Sequence, residues 1–377
     1  MKSYYGILIN DRCSDHTMMR LYILCKRTNK IFSMAVVSHE GIIGGEIVDR
    51  KKLVKAIEKV MIKSSARNLG VREIYIVVPH TFCTCKTKEI VTEFASKTRL
   101  RPEILKKADD FHEGLEGYIV QSSDLYHLLD GERAVTDVRS YMASQVVTMH
   151  SVLLCDIDFV EIMQEGLAGQ FSFVKYIPQS LAESLYILSD EVRDKTSTLI
   201  DISGFETTII VVCGDGILHK ASIPIGTSNI LDDLCIVKKL DYDSGLAVIL
   251  CDKACLSVEC DCDEVYEIEL IVGWDKNTEK KEVRAFNKQE INAIISARLE
   301  EIAIEVLREI KLFDEKLLCD NHPMFLNRGF IRVIKGAKSL IERIIGRELE
   351  DAIDPLKAVP VSDETILSGV KKFIKTM

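Results

Sequence analysis

The chain has 377 residues, enough for two or more domains with cores of their own. It is 47% hydrophobic and 28% charged, as a globular protein is, and its net charge of −9 argues against a general nucleic-acid binder. No apolar run approaches the roughly 20 residues of a transmembrane helix, and Met1–Asn10 is too short for a secretory signal before Asp11 and Arg12, so the expected compartment is the cytoplasm.

Tyr5–Ile9, Met19–Cys25 and Ile31–Val37 are predicted strands, rich in β-branched and aromatic residues. Asp49 is placed to cap a helix with Leu53, Val54, Ile57, Val60 and Met61 on one face, ended by Gly70. Glu73–Val78 is a buried strand stopped by Pro79. From Thr84 to about His150 an α+β segment is expected, with strand Glu89–Ala95, helix Pro102–Ala108 and strand Glu116–Gln121. Thr198–Ile202, Thr207–Cys213 and Ile217–Ile223 are three more strands, and Gly226 starts a helix. Strand-strand-strand-helix therefore occurs twice, in element order and not in residue identity. A helix spans Ile291–Ile302, and Ser362 or Asp363 caps a last one bearing Ile366, Leu367, Val370, Phe373, Ile374 and Met377 on one side.

The second set of elements is the most informative. The turn Ser203-Gly204-Phe205-Glu206 is tight, Asp201 stands at its mouth, and Pro224 and Gly226 lead into the helix. A hairpin turn and a helix N-terminus of this kind present N–H groups to a phosphate. In this order the elements resemble the second phosphate loop of the actin-like ATPase superfamily, and within it the bacterial cell-division family FtsA. Asp201, Ile202, Gly204 and Thr207 match the family's D-I-G-G-G-T-T-D, and Pro224, Gly226, Ile230 and Asp233 match P-V-G-G-D-H-I-T-N-D-I. Ser203, Phe205 and Thr227 stand where the family usually has glycine. INAIISARLEEI resembles a family helix, and FLNRGFIRVIKG resembles the adenosine loop, so the resemblance is colinear over nearly the whole chain.

The resemblance implies an α/β fold: a duplicated actin-like, ribonuclease H-like core of two lobes with a small inserted α+β domain. The implied divisions are 1–83 and 151–196 for the first lobe, 84–150 for the insert, 197–240 and 287–360 for the second lobe core, 241–286 for its subdomain and 361–377 for a C-terminal helix. It implies ATP with Mg²⁺ as cofactor, with Asp201, Ser203, Gly204, Thr207, Gly226, Thr227, Arg298 and Gly329 as candidate nucleotide contacts and Asp201 as the Mg²⁺ ligand. It also implies protein partners, an FtsZ-like tubulin homologue among them, self-assembly, no nucleic acid, and weak contact with the inner face of the cell membrane.

The departures are chemical. The family's first loop reads L-D-I-G-[TS]-[TS]; here Leu8 falls at the aspartate and Asn10 at the glycine, with Asp11 and Asp15 shifted into the turn. Ile177 replaces the glutamate that orients water, and Phe330 replaces the second glycine of the adenosine loop beside Gly329. The expectation is an assembly scaffold with an eroded ATPase site. The rivals are a working ATPase using Asp11 or Asp15, and an adaptor like the type IV pilus PilM proteins. Plain readings stand beside these: Gly204 and Gly226 as simple turn residues, Asp201 as a cap, Arg298 as a salt-bridged face residue. The last helix reads as core, with a membrane anchor as its alternative. Twelve cysteines read as reduced thiols, with Cys251, Cys255, Cys260 and Cys262 weighed as a zinc site without paired knuckles. The histidines show no metal or nucleophile pattern in their spacing.

Overall fold

The computed structural model describes residues 3–13, 16–251, 254–256, 264–275, 278–314, 322–327, 329–352 and 363–376. The chain divides into two compact units, residues 1–197 with 210–220 and 361–377, and residues 198–209 with 221–360.

The first unit opens on β1 (Tyr4–Cys13), β2 (His16–Cys25) and β3 (Ile31–His39), an antiparallel meander. A small hairpin, β4 (Ile42–Ile43) and β5 (Glu46–Ile47), leads to α1 (Arg50–Lys63). Asp49 caps that helix by accepting from the Lys52 N–H at 3.0 Å. Leu53, Ala56, Ile57, Val60 and Met61 form its buried stripe. The helix stops at Lys63, short of Gly70. The Ser64 hydroxyl donates to the Met61 carbonyl at 3.0 Å and Ser65 turns into the left-handed region at φ 57°, which ends the helical ladder. β6 (Glu73–Val78) then pairs in parallel with β1.

Residues 84–150 belong to this same unit. β7 (Cys83–Arg99), α2 (Asp109–His112), β8 (Tyr118–Leu129), β9 (Arg133–Val135) and β10 (Met142–Cys155) follow, and their four strands form one sheet in the order β7-β10-β8-β9. The expected helix over Pro102–Ala108 is a single 3₁₀ turn at Pro102–Ile104. Leu105 is extended, with ψ 148°, because its side chain joins a core with Leu100, Leu129 and Val146. The next amide, Lys106 N–H, goes to Thr92 Oγ1 at 2.9 Å instead of to a helical carbonyl. Tertiary burial overrides helix propensity here.

After α3 (Ile157–Leu167), β11 (Phe173–Pro178) pairs in parallel with β6 and completes a sheet in the order β11-β6-β1-β2-β3. α4 (Gln179–Ile187) and α5 (Asp190–Arg193) close this part of the chain.

β12 (Ser197–Ile202), β13 (Thr207–Cys213) and β14 (Gly216–Ile223) lie within a residue or two of their expected bounds. α6 (Thr227–Lys238) and α7 (Tyr242–Leu250) precede a two-stranded sheet of β15 (Val265–Asp275) and β16 (Thr278–Asn287). Then come the long α8 (Lys288–Phe313), β17 (Met324–Asn327), α9 (Ala337–Ile345) and β18 (Glu350–Asp351). The second five-stranded sheet runs β14-β13-β12-β17-β18. Read from the other edge, the first sheet runs β3-β2-β1-β6-β11. Both place three consecutive strands beside two later ones added in parallel, so the topology is duplicated.

The chain returns to the first unit as α10 (Asp363–Thr376). Ile366, Leu367 and Val370 are buried among Ile7, Ile9, Val77, Ile177 and Ala182, with Phe373 and Ile374 partly covered. Each fully buried apolar side chain of this kind contributes about 1.5–3 kcal/mol. Lys372 donates to Asp190 Oδ1 at 2.6 Å on the outer side. α10 is thus a core helix, and among the described residues no helix is long and apolar enough to cross a membrane.

Cys25, Cys83, Cys85, Cys155, Cys213, Cys235 and Cys251 are free thiols, as expected. Cys255 is disulfide-bonded, which corrects the reading of reduced thiols throughout. A disulfide sulfur offers no thiolate, so the zinc reading of the 251–262 cluster loses one ligand; Cys260 and Cys262 lie outside the described residues.

Candidate functional site

The second phosphate-type loop is built on the end of β12, six residues buried without a break. Asp201 is 3% exposed there. Its Oδ1 accepts from Asn327 Nδ2 at 2.5 Å, and its Oδ2 accepts from the Ser203 hydroxyl. The turn is closed by the Ser203 N–H donating to the Glu206 carbonyl at 3.0 Å. Asn327 is a residue that sequence reasoning passed over. Its only signal was its place at the end of the strand before the adenosine-type loop, where a side-chain amide reaches across to the neighbouring parallel strand.

The N-terminus of α6 sits on this turn. Thr227 N–H donates to the Ser203 carbonyl at 2.8 Å and Ser228 N–H to the Gly204 carbonyl at 2.5 Å. Gly226 N–H donates to Asn229 Oδ1 at 2.9 Å, and the Thr207 hydroxyl to the Ile225 carbonyl at 2.7 Å. Ser203 therefore ties Asp201 to the turn, Thr227 and Ser228 tie α6 to the carbonyls of Ser203 and Gly204, and Thr207 and Gly226 bond to Ile225 and Asn229 at the same helix start. The amides of Thr227 and Ser228, which a phosphate at this helix N-terminus would use, are engaged by turn carbonyls.

Arg298 lies on α8 with its guanidinium committed. Nε and Nη2 donate to the two oxygens of Asp233 on α6 at 2.7 and 2.9 Å, and Nη1 to Glu301 at 2.6 Å. That bidentate pair holds α8 on α6 and raises the guanidinium pKa further. Gly329 lies in a 3₁₀ turn, Gly329–Val333. The side chains of Asp11 and Phe330, and Asp15 as a whole, fall outside the described residues.

The strand that leads into the first loop, β1, lies in the first unit. Leu8 is 1% exposed on β1 and Ile177 is fully buried on β11, so the two residues that the sequence sets at the family's carboxylate positions are core side chains. Asn10 is buried and its Oδ1 lies 3.3 Å from His39 Nε2, while His39 Nδ1 accepts from the Gly41 N–H at 3.1 Å. A buried carboxylate does occur about one turn into α4, the helix after β11. Glu183 of α4 accepts from Gln179 Nε2 at 2.8 Å and meets His80 Nε2 at 3.1 Å. The sequence reading set Ile177 at the position of the family's glutamate and did not pick out Glu183, which stands six residues on.

The His39 geometry fixes a neutral imidazole: Nε2–H donates to Asn10 and Nδ1 accepts. Burial pushes its pKa from 6.5 down to about 4. Between those values the unfolded chain takes up a proton that the folded chain refuses. Stability from this site is therefore complete above pH 6.5 and is lost as pH falls toward 4. The melting temperature of His39→Gln, which keeps one donor and one acceptor, is expected to fall less steeply than wild type between pH 6.5 and pH 4.5. Parallel slopes in thermal melts would rule the assignment out.

Comparison with known proteins agrees with this architecture. No protein-family model matches the chain. The cell division protein FtsA of Bacillus subtilis (strain 168) is 25% identical over 363 residues, covering 90% of this chain and 76% of that protein. The chain is FtsA-like. Its fold is that of the actin-like ATPases: a solved structure of MreB5 of Spiroplasma citri bound to ADP superposes with a TM-score of 0.56 at 12% identity, over 99% of this chain and 97% of that one. The structure of a PilM–PilN type IV pilus biogenesis complex superposes with a TM-score of 0.54 at 14% identity, over 100% and 98%. The expected α/β duplicated actin-like core is thereby established, and at these identities the structural matches speak for the fold alone.

Proposed function

We propose that this chain is an FtsA-like assembly scaffold of the actin fold, a cytoskeletal or cell-division protein that binds protein partners and further copies of itself. In this reading ATP binding is weak or absent and hydrolysis negligible. The observation that carries it lies on the strand before the first loop: Leu8, at the position where the FtsA resemblance implies an Mg²⁺-side carboxylate, is 1% exposed in the core. Losing one charge-stabilising group commonly costs about 10²–10³ in turnover. The engaged amides of Thr227 and Ser228 support the same reading, since a phosphate would have to displace the carbonyls of Ser203 and Gly204.

The residues proposed to meet a nucleotide are Asp201, Ser203, Gly204, Thr207, Gly226, Thr227, Arg298 and Gly329, with Asp201 toward Mg²⁺. Residues 84–150 are proposed as the FtsA-type inserted domain, and the protein is placed in the cytoplasm at the inner face of the cell membrane. An FtsZ-like tubulin homologue is the proposed partner, by sequence similarity to FtsA. The test is co-sedimentation of the purified full chain with filaments of such a homologue, with ATP, with ADP and without nucleotide. Equal co-pelleting in all three is expected. Pelleting that needs ATP would favour the working ATPase, and none at all would reject the cell-division scaffold in favour of an adaptor of the PilM kind.

A further inference from the structure

Two of the histidines that look scattered in the sequence meet in space. His112 ends α2, Ser122 and Asp124 lie two apart on β8, and His150 lies on β10 directly opposite Asp124. The register of β8 against β10 shifts between Met149 and His150, leaving Leu125 as an extra residue on β8. A bulge of this kind re-aims side chains locally.

Three ligand-type atoms converge there. His112 Nε2 and His150 Nε2 are 3.2 Å apart, and the Ser122 hydroxyl lies 3.0 Å from His150 Nε2 and 3.2 Å from His112 Nε2. The triangle is nearly equilateral. A cation about 2.05 Å from both nitrogens would subtend an angle of about 100° between them, close to tetrahedral. Behind His150, Nδ1 meets Asp124 Oδ1 at 2.6 Å. That contact orients the ring with Nε2 forward, as the carboxylate behind a metal-bound histidine does. The His150 side chain is 7% exposed. The Phe111 ring stands in a T-shaped contact with it, centroids 6.3 Å apart, and Lys88 Nζ sits 5.4 Å over that phenyl ring.

We infer that His112, His150 and the Ser122 hydroxyl form a binding site for a late first-row divalent cation of the zinc class, with Asp124 as the positioning residue behind His150. Two imidazoles and a hydroxyl suit Zn²⁺, Co²⁺, Ni²⁺ or Cu²⁺ over Mg²⁺ or Ca²⁺, which take oxygen ligands. The fourth position faces outward, since Ser122 and Asp124 are exposed. The Ser122–His150–Asp124 string alone resembles a nucleophile with its base. The second imidazole at the same Nε2 has no part in such a string but completes a ligand set. The ion would tie the short helix α2 to the sheet and so fix the 109–117 connection.

The experiment titrates the full-length purified chain with Co²⁺, whose visible spectrum reports its coordination, and follows the melting temperature with Zn²⁺. One equivalent of Co²⁺ is expected to bind, to be displaced by Zn²⁺, and to raise the melting temperature by preferential binding to the folded state. His112→Gln, at the partly exposed end of α2, is expected to bind at least tenfold more weakly while melting like wild type without metal. Asp124→Asn is expected to weaken binding by about 10–100-fold. Cys85→Ser serves as the thiol control and should bind as wild type does. Wild type that binds no Co²⁺, or His112→Gln that binds it undiminished, overturns the proposal.

Discussion

Gly369→Ala is expected to destabilise the protein more than any other single methyl group added to a described glycine. A Cβ at 369 would lie 1.7 Å from the Ala182 carbonyl oxygen, 2.4 Å from its carbon and 2.9 Å from its Cα. All three are backbone atoms of α4, so no rotamer change relieves them. α10 must retreat from α4, and Ile366, Leu367 and Val370 lose the cluster in which they are buried. Overpacking typically costs about 1–3 kcal/mol, and a clash with backbone belongs at the top of that range or above it. A fall of at least about 5 °C in melting temperature follows for a domain of this size. Ala182→Gly should not rescue the variant, because the obstructing atoms remain. A Gly369→Ala melt within a degree of wild type would refute the docking of α10 on α4.

The second large effect separates two glycines of one motif. A Cβ on Gly226 would meet the Ser203 carbonyl oxygen at 2.4 Å, the Gly204 carbonyl oxygen at 2.6 Å and the Glu206 nitrogen at 2.8 Å. Gly226→Ala must push the turn away from α6, breaking the bonds from Thr227 and Ser228. About 2–3 kcal/mol is the expected loss. Gly204 differs: a Cβ there meets only Ser228 Oγ, at 3.2 Å, and that hydroxyl can rotate. Gly204→Ala should cost under about 1 kcal/mol. Equal losses in urea unfolding would show that the two positions are turn glycines of the same kind, the plainer reading of the sequence.

These cases mark what the sequence could reveal. The strands from 198 to 223 were legible because β13 is a run of Thr, Ile and Val closed by Cys213 between turn residues, all of it buried. Asp49 was legible as a cap because capping is local. Leu105 was not, because the force that stretches it is burial beside Leu129 and Val146, far along the chain. Gly226 was read correctly as a helix start, yet its need for glycine comes from the carbonyls of a turn twenty-two residues earlier. Asn327 and the pair His112 and His150 were invisible for the same reason: strand register sets Asn327 beside Asp201, and the packing of α2 on the β8–β10 sheet sets His112 beside His150, neither of which spacing shows. Arg298 was weighed as a salt-bridged face residue beside its candidate role, and it forms a bidentate pair with Asp233.

We propose that an actin-like fold here works without useful ATP turnover. It rests on buried Leu8 and Ile177 where carboxylates belong, and on Asp201 held by Asn327 and Ser203. The most direct measurement is phosphate release from ATP and Mg²⁺ by the purified full chain, wild type beside Asp201→Ala. The account predicts turnover below about one per minute, slow against the ~1–10³ s⁻¹ typical of enzymes, and no difference between the two proteins. Turnover above that rate in wild type that vanishes in Asp201→Ala would contradict it.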